Sequence, residues 1–418
     1  PRRVGGQSLP LEIYGGHVGR LAWKTLHVGG LKVQVRTYGG PPDPGTVYLC
    51  PSVGEYPIYA GHYRELPGHQ PGTTQARHVT GQGQLPCAHK APNFVSVMLE
   101  DERRNALFRS AIKGAVKAAA PGATVLEIGC GPDLLWTLAA IGAGASRAYA
   151  IEVIEDSARR AEQTASRYPS ADIRVVAGDA TRVVLPERAD VCIAEIVGCI
   201  GGSEGMVAVL ADARRRHLAP AARVIPSAVR TLAGAICLLD LFGGEVAMPS
   251  VFAPYVEAVL RQAGMPFDLR LYVGAVDATA LMSTTGVIED LRFNEQSYVQ
   301  GGDLRLEITR CGRVDGLLAW IELAVAPGDT GLNSLAEDTN WLPVYVPFAL
   351  GEPIEVSVGD ILSLHVTATN ADDGIHPEYS FRGELTRTGS DGRVAVSAES
   401  RYSGGAFRST VVHRGLLR

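Results

Sequence analysis

Hydrophobic and polar positions follow different periods in different parts of the chain. Near the N-terminus they alternate on both sides of Gly29-Gly30, which is the pattern of a β-hairpin. Between residues 97 and 119 the apolar positions recur at helical spacing, and Pro121-Gly122 ends the predicted helix. From Arg223 onward, short alternating segments separated by Gly and Asp turns predict a β-sandwich or β-barrel. The two ends of the chain are therefore predicted to be β-rich.

The middle of the chain alternates between strand and helix patterns. An apolar strand at 125–128 runs into a Gly-rich turn, a helix at 134–141 and a second strand at 147–153. A helix at 154–168, two further strands and a helix at 205–217 complete this part. Strand–helix–strand units form parallel sheets with right-handed crossovers, so the pattern predicts an open α/β sheet.

These patterns predict three domains. Residues 1–92 form a β-rich module and a linker, residues 93–222 a Rossmann-like α/β domain, and residues 223–418 a β-barrel domain. A chain of 418 residues has room for two or three domains at about 150 residues each. The expected fold class is α/β plus a C-terminal β-barrel, with an extra N-terminal β-rich module.

Composition excludes several classes of protein. With 46% hydrophobic residues the chain is not intrinsically disordered, and no run of about 18 apolar residues predicts a membrane-spanning helix. The net charge of -5 argues against a nucleic acid or an anionic membrane as partner. Seven irregularly spaced cysteines favour a reduced, cytoplasmic protein. No His/Cys cluster has a spacing that predicts a metal site.

The basic residues are biased toward arginine. Only five of the 39 basic residues are lysine, and no lysine follows Lys117. Together with 48 glycines, this bias favours a high-GC bacterial coding sequence. A need for the bidentate contacts of arginine is the alternative explanation.

The sharpest local motif lies between the first strand of the α/β domain and the helix that follows. It reads Glu127-Ile128-Gly129-Cys130-Gly131, and its glycines let a ligand approach the backbone closely. Glu152 ends the next strand, where a carboxylate can accept hydrogen bonds from both hydroxyls of a ribose. These features fit either a dinucleotide or S-adenosylmethionine.

Two details favour S-adenosylmethionine over a dinucleotide. The turn lacks the third glycine of the pyrophosphate fingerprint, and Glu127 would repel a pyrophosphate but suits a cationic cofactor. The third strand ends at Asp179-Ala180, where methyltransferases commonly hold the adenine amino group. Cys130 is expected to pack against the cofactor rather than to act as a reactive thiol. The alternative is a Gly-rich turn in an unrelated α/β enzyme.

Two glutamates, Glu195 and Glu204, lie between the fourth strand and the next helix. This loop is at the carboxyl edge of the sheet, where open α/β folds bind ligands. Two carboxylates held together there suit a planar guanidinium, which pairs bidentately with carboxylates. From the residues alone, the simpler explanation is that one glutamate is exposed in the loop and the other is favoured at the helix N-terminus by the helix dipole.

In their order and spacing these motifs resemble the protein arginine methyltransferase family, over roughly residues 94–418. "VLEIGCGPDLL" is similar to the family's first cofactor motif, and Glu195 with Glu204 keeps its double-glutamate spacing. "DTNWLPVYVPF" stands at the place of the family's Thr-His-Trp loop. The resemblance implies a Rossmann-like methyltransferase domain, a β-barrel and a head-to-tail homodimer. It also implies conversion of S-adenosylmethionine to S-adenosylhomocysteine.

The resemblance also implies roles for individual side chains. Glu195 and Glu204 would be the catalytic residues, which clamp and polarise the substrate guanidinium. Residues expected at the cofactor are Arg104, which would meet its carboxylate, Glu127, Gly129, Cys130, Gly131, Glu152 at the ribose, Val153, and Asp179 and Ala180 at the adenine. Residues expected at the substrate are Met98, Asp101, Met206, Asn340 and Trp341.

The sequence departs from the family pattern in several places. Asn340 replaces the histidine of the Thr-His-Trp loop, which removes a titratable residue and a His–Asp pair with Asp101. "APNFVSV" stands where the family has an aromatic segment ahead of the first helix. The resemblance implies a dimerisation arm in the β-barrel domain, around 240–275, although its identity is not clear from the sequence. Residues 1–90 lie outside the family's common core.

These departures and the bacterial coding signature favour a small guanidine as substrate over a protein. The first choice is free L-arginine, or an arginine-derived metabolite of bacterial natural-product biosynthesis. Methylation of peptidyl arginine is the alternative. A catalytically inactive scaffold is a second alternative, against which the presence of both Glu195 and Glu204 argues.

Overall fold

The computed structural model describes residues 101–119, 121–241, 269–274, 276–329, 331–337 and 339–400, and the backbone of seven strands before residue 58.

The helices are α1 (Glu102–Ala118), α2 (Leu135–Gly142), α3 (Glu155–Ala165), α4 (Met206–Arg216) and α5 (Leu238–Leu241). The strands of the first part are β1 (Arg2–Val4), β2 (Gln7–Leu9), β3 (Glu12–Tyr14), β4 (Ala22–Val28), β5 (Leu31–Tyr38), β6 (Tyr48–Val53) and β7 (Tyr56–Pro57). The middle part contains β8 (Thr124–Ile128), β9 (Arg147–Glu152), β10 (Asp172–Ala177), β11 (Ala189–Ala194) and β12 (Leu218–Ile225). The last part contains β13 (Ala228–Ile236), β14 (Leu269–Gly274), β15 (Gly286–Arg292), β16 (Ser297–Glu307), β17 (Gly312–Val314), β18 (Gly316–Ala324), β19 (Leu332–Asn333), β20 (Val344–Pro347), β21 (Ile354–Val356), β22 (Ile361–Asn370), β23 (Pro377–Thr386) and β24 (Arg393–Ser400).

The middle part forms the predicted parallel sheet. Its five strands lie in the order β10-β9-β8-β11-β12, and all four neighbouring pairs are parallel. The chain builds outward from β8 to β10 and then returns to place β11 on the other side of β8. The order of strands therefore reverses between β8 and β11, which is where open α/β folds bind ligands.

The helices of this part follow from local signals in the sequence. Asp101 caps α1 by accepting a hydrogen bond from the backbone N–H of Arg104, at 2.9 Å. α1 buries Phe108 and Ile112 on one face, which matches the helical spacing of its apolar positions. The helices predicted at 134–141, 154–168 and 205–217 correspond to α2, α3 and α4.

The C-terminal part forms the predicted β-barrel domain. A curled sheet of twelve strands has the order β24-β23-β22-β16-β15-β13-β18-β20-β14-β6-β7, with β19 paired to β18 beside this path. A β-bridge from Phe348 to Ala398 joins β24, at one end of this path, to the segment that follows β20. β13 and β15 lie next to each other in this sheet and carry two polar side chains, Thr231 and Glu289, that matter for the candidate site.

The hairpin predicted around Gly29-Gly30 is confirmed, because β4 pairs antiparallel with β5 across these two residues. β6 is not confined to an N-terminal module. It pairs with β14, where Cys50 lies opposite Tyr272, and so extends the barrel sheet.

The chain changes from the parallel sheet to the barrel between Ile225 and Ala228, and the predicted boundary after residue 222 falls inside β12. The predicted boundary after residue 92 lies outside the described residues, and the division into three domains stays a prediction. One cluster of buried apolar side chains includes Val125 and Ile193 of the parallel sheet and Leu317 and Ile321 of the barrel. The two parts therefore pack against each other.

Within the described residues, no helix is long and apolar enough to cross a membrane. In the same part of the chain, no group of three or more His, Cys, Asp or Glu side chains is arranged to hold a metal ion.

Candidate active site

The two predicted ligand loops leave the parallel sheet side by side. Ile128 at the end of β8 lies opposite Ala194 at the end of β11. The next residues, Gly129 and Glu195, begin the Gly-rich turn and the loop with the two glutamates. We call residues 129–131 the cofactor turn and residues 195–205 the carboxylate loop.

The cofactor turn is held by its own sheet. The backbone N–H groups of Gly129 and Cys130 both donate to the carbonyl oxygen of Ile151, at 2.9 and 3.1 Å. Gly129 and Gly131 have φ angles of +75° and +62°, which favour glycine. The N–H of Gly131 donates to Oε2 of Glu152 at 2.9 Å. The turn is therefore fixed before any ligand arrives.

Glu152 lies where the sequence predicts a ribose contact. It is 7% exposed, and its Oε1 accepts the backbone N–H of Ile154 at 2.9 Å. Burial raises the pKa of this carboxyl above its ordinary value, and the backbone N–H donors oppose that rise. Each of its oxygens accepts one of these backbone bonds and keeps acceptor capacity for a ligand hydroxyl.

Glu127 lies behind the turn and caps a helix. Its Oε2 accepts the backbone N–H of Thr137 at 2.7 Å and the hydroxyl of the same residue. Thr137 belongs to the first turn of α2, whose N–H groups lack partners within the helix. Burial raises the pKa of Glu127 to about 8. The described contacts of Glu127 are thus with α2, and its contact with a cofactor stays a prediction.

Of the other residues predicted at the cofactor, Asp179, Ala180 and Val153 lie outside the turn and Cys130 lies within it. Oδ1 of Asp179 accepts the N–H and the hydroxyl of Thr181, at 2.8 and 2.7 Å. Ala180 is partly buried beside it, and Val153 is 68% exposed. Cys130 is buried, and burial raises the pKa of its thiol, so a packing role suits it better than thiolate chemistry.

Arg104 occupies one side of the carboxylate loop. Its Nε donates to Oε1 of Glu195 at 3.1 Å, and its Nη2 donates to Oε2. Its guanidinium is 1% exposed and lies over the rings of Trp136 and Phe108, at 5.0 and 5.6 Å from their centroids. The sequence predicts that Arg104 meets the cofactor carboxylate. In the structure it pairs with Glu195, and the contact with the cofactor stays a prediction.

The two glutamates differ in their electrostatic surroundings. Burial raises the pKa of Glu195, and the charge and hydrogen bonds of Arg104 oppose the rise. Burial and the charge of Glu195 raise the pKa of Glu204 to about 7. A cation placed between the two carboxylates would relieve this repulsion, which is the property expected of a guanidinium clamp.

The segment around Asn340 connects α1 with the carboxylate loop. The backbone N–H of Asn340 donates to Oδ2 of Asp101 at 3.3 Å, and Nε1 of Trp341 donates to the carbonyl oxygen of Val197 at 2.7 Å. The link to Asp101 is thus kept through the backbone although the family's histidine is absent. Met206, the first residue of α4, is fully buried, and Met98 lies outside the described residues.

Sequence reasoning missed the aromatic surroundings of Arg104. Phe108 and Trp136 stack at 4.8 Å between ring centroids, and both lie beside the Arg104 guanidinium. Phe108 follows Arg104 by four residues, a spacing that places both on one face of α1. That spacing could have indicated Phe108, whereas nothing local indicated Trp136.

No family model matches the sequence. Among curated proteins, "Probable histone-arginine methyltransferase 1.4" of Arabidopsis thaliana is 28% identical over 306 residues, which cover 66% of this chain and 54% of that protein. "Probable histone-arginine methyltransferase CARM1" of Oryza sativa subsp. indica is 36% identical over 111 residues, or 26% of this chain and 21% of that protein. The chain spans about half the length of the first of these relatives.

Two solved structures share the fold. Protein arginine methyltransferase 10 of Arabidopsis thaliana, in an open conformation, has a TM-score of 0.59 at 18% identity, covering 76% of this chain and 99% of that one. The PRMT1 enzyme–prozyme heterotetrameric complex of Trypanosoma brucei with AdoHcy has a TM-score of 0.58 at 16% identity, covering 75% and 100%. The fold is therefore a Rossmann-like methyltransferase domain followed by a β-barrel.

By sequence and by fold, the chain is similar to proteins that are named arginine methyltransferases. The relatives carry the names of histone or protein arginine methyltransferases and come from plants. The sequence-based preference for a bacterial enzyme of free arginine finds no support among them.

Proposed function

We propose that this protein is an S-adenosylmethionine-dependent N-methyltransferase of arginine in polypeptides. The observation that carries the proposal is the carboxylate loop, which brings Glu195 and Glu204 to the strand-order reversal beside the cofactor turn. The names of the sequence relatives support peptidyl arginine over free arginine as substrate.

The residues of the cofactor turn fit S-adenosylmethionine. Glu152 offers buried carboxylate oxygens to two ribose hydroxyls, and the glycines leave the backbone of the turn open to close approach. When bound, S-adenosylmethionine supplies a methyl group already activated on a positively charged sulfur. The protein's own task is to align the substrate nitrogen and to concentrate electron density on it.

The carboxylate loop performs that task through its charge. A free guanidinium is always protonated and is a poor nucleophile. With Glu195 and Glu204 on its other nitrogens, its positive charge is drawn away from the attacking nitrogen. A bond forms between that nitrogen and the methyl carbon as the bond from carbon to sulfur breaks. The nitrogen then releases one proton to a carboxylate or to water.

The proposal is tested with labelled S-adenosylmethionine and three acceptors: an arginine-rich peptide, the same peptide with lysine at each arginine position, and free arginine. We expect label in the arginine peptide and none in the lysine peptide. Label in free arginine alone would overturn the proposed substrate class. Cofactor binding without label in any acceptor would favour the inactive scaffold and overturn the proposed activity.

A homodimer is part of the proposal. The Trypanosoma brucei protein that shares this fold assembles as a heterotetrameric complex, which supports assembly of this chain as well. The predicted arm around 240–275 lies largely outside the described residues. Light scattering should give twice the mass of one chain, and a single-chain mass at micromolar concentration would contradict the dimer.

A further inference from the structure

The backbone of the carboxylate loop is bonded to side chains of the barrel. The N–H of Gly201 donates to Oγ1 of Thr231 at 2.9 Å, and the N–H of Gly202 donates to Oε2 of Glu289 at 3.1 Å. Both glycines lie between Glu195 and Glu204. The barrel therefore bonds to the backbone of the loop between the two glutamates, and not to their carboxylates.

Glu289 is a fully buried carboxylate with four donors. Oε2 accepts the N–H of Gly202 and the hydroxyl of Thr231 at 2.7 Å. Oε1 accepts Nε2 of Gln300 at 2.9 Å and the hydroxyl of Tyr379 at 2.6 Å. An ionised carboxylate has about four acceptor sites, so each has a donor here. This full set of bonds offsets the cost of burying a charge.

The loop also lies flush against the barrel. A Cβ at Gly202 would come within 2.7 Å of Oε1 of Glu289 and of Nε2 of Gln300. At Gly205, where φ is +81°, a Cβ would clash with Cγ2 of Ile375 on the loop between β22 and β23. No side chain separates the two surfaces at these points, so the barrel sets the position of the loop backbone.

We infer that Glu289 is a positioning residue, which holds the carboxylate loop through Gly202 so that Glu195 and Glu204 stay at the spacing that clamps a guanidinium. The inference rests on the proposed function and goes beyond it by assigning a role to a buried barrel residue that touches neither substrate nor cofactor. It extends to Thr231 and Tyr379, which orient the Glu289 carboxylate.

A positioning role for Glu289 predicts different effects on methyl transfer to the substrate and on cofactor binding. The cofactor turn takes its bonds from β9 and Glu152 and does not depend on the barrel contacts. Loss of the Glu289 carboxylate should therefore lower kcat for arginine transfer while the Kd of the cofactor stays unchanged. It should also move the acid limb of the kcat profile to lower pH, because Glu204 would lie farther from the charge of Glu195.

The test compares wild type with Glu289→Gln and with the control Glu384→Gln, which alters an exposed barrel glutamate paired with Arg393. We expect Glu289→Gln to lower kcat at least tenfold with a cofactor Kd within twofold of wild type, and the control to change neither. If Glu289→Gln does not fold, Tyr379→Phe removes one donor to Glu289, and Thr231→Val removes one donor to Glu289 together with the acceptor of the Gly201 N–H. Each variant should lower kcat about threefold to tenfold.

The outcomes separate this inference from the proposed function. An active wild type whose Glu289 variant keeps its kcat and its pH profile would overturn the positioning role alone. A parallel loss of kcat and of cofactor affinity would also overturn it, since it would indicate general damage to the fold. A wild type that transfers methyl to no guanidine would overturn the proposed function and, with it, this inference.

Discussion

The cofactor turn and the carboxylate loop begin at neighbouring positions of one sheet but are stabilised differently. The turn takes its hydrogen bonds from Ile151 and Glu152, on the next strand of the same sheet. The loop takes its bonds from α1 and from the barrel, through Arg104, Glu289 and Trp341. Cofactor binding should therefore be a property of the α/β domain, and substrate alignment a property of the whole assembly of domains.

The largest effect is expected from the two glutamates of the loop. Glu195→Gln and Glu204→Gln should each lower kcat by about 10² to 10³-fold, the size of loss seen when one electrostatic contact to a transition state is removed. For Glu204→Gln the cofactor Kd should stay within about threefold, because no described hydrogen bond or ion pair joins Glu204 to the turn or to Arg104. Equal losses of kcat and cofactor affinity would contradict the division between the two loops.

The same pair of variants should differ in stability. Glu195→Gln breaks the buried ion pair between Glu195 and the Arg104 guanidinium, at a cost of about 3–5 kcal/mol in the free energy of unfolding. The described residues place no ion pair on Glu204. Its pKa is raised from 4.5 to about 7, so ionisation of Glu204 disfavours folding increasingly from pH 4.5 to 7, and this penalty is complete above pH 7. Denaturant unfolding at pH 8 should find Glu204→Gln at least as stable as wild type.

The two regions also differ in what sequence could predict. The turn lies in one contiguous stretch, so its glycines, the strand ahead of it and the helix after it were all predictable from local pattern. The contacts of the loop join residues far apart in the chain: Arg104 to Glu195, Trp341 to Val197, and Glu289 to Gly202. Such contacts depend on how the sheets pack, which no local period encodes.

The barrel also contains long-range contacts that no local sequence pattern predicts. Alternation predicted its strands, but the pairing of β6 with β14 joins parts of the chain separated by the whole α/β domain. Resemblance to a family supplied the two glutamates as a pair, whereas residue patterns alone favoured unrelated roles for them. It did not supply Glu289, whose role follows only from its four hydrogen-bond donors.

The next largest effect is expected on cofactor affinity, from a substitution of Glu152, which bonds to the cofactor turn. Glu152→Gln weakens hydrogen bonds to a charged acceptor, so the cofactor Kd should rise about tenfold to a hundredfold. At saturating cofactor, kcat should change less than threefold. Glu155→Gln, in the first turn of α3, is the control and should leave the Kd unchanged. A fall in kcat at saturating cofactor would mean that the turn and the loop are coupled.

A smaller effect is expected from the tryptophan that bonds to the loop. Trp341→Phe leaves the carbonyl of Val197 without its donor and should lower kcat about tenfold, with stability reduced by about 1–3 kcal/mol. Trp320→Phe is the matched control, because Trp320 is equally buried and its Nε1 makes no hydrogen bond to any described residue. Equal kcat for the two variants would remove Trp341 from the group of residues that hold the loop.

The clamp is tested most directly by the protons released when substrate binds. The number of protons released is measured by calorimetry of arginine-peptide binding at pH 7, with S-adenosylhomocysteine present. The titration is repeated in buffers of different ionisation enthalpy. A guanidinium beside Glu204 lowers its pKa from about 7, so wild type should release about half a proton. Glu204→Gln should release none, and Glu384→Gln, which alters a barrel glutamate paired with Arg393, should behave as wild type. Binding without proton release in wild type, or equal release from Glu204→Gln, would contradict the account.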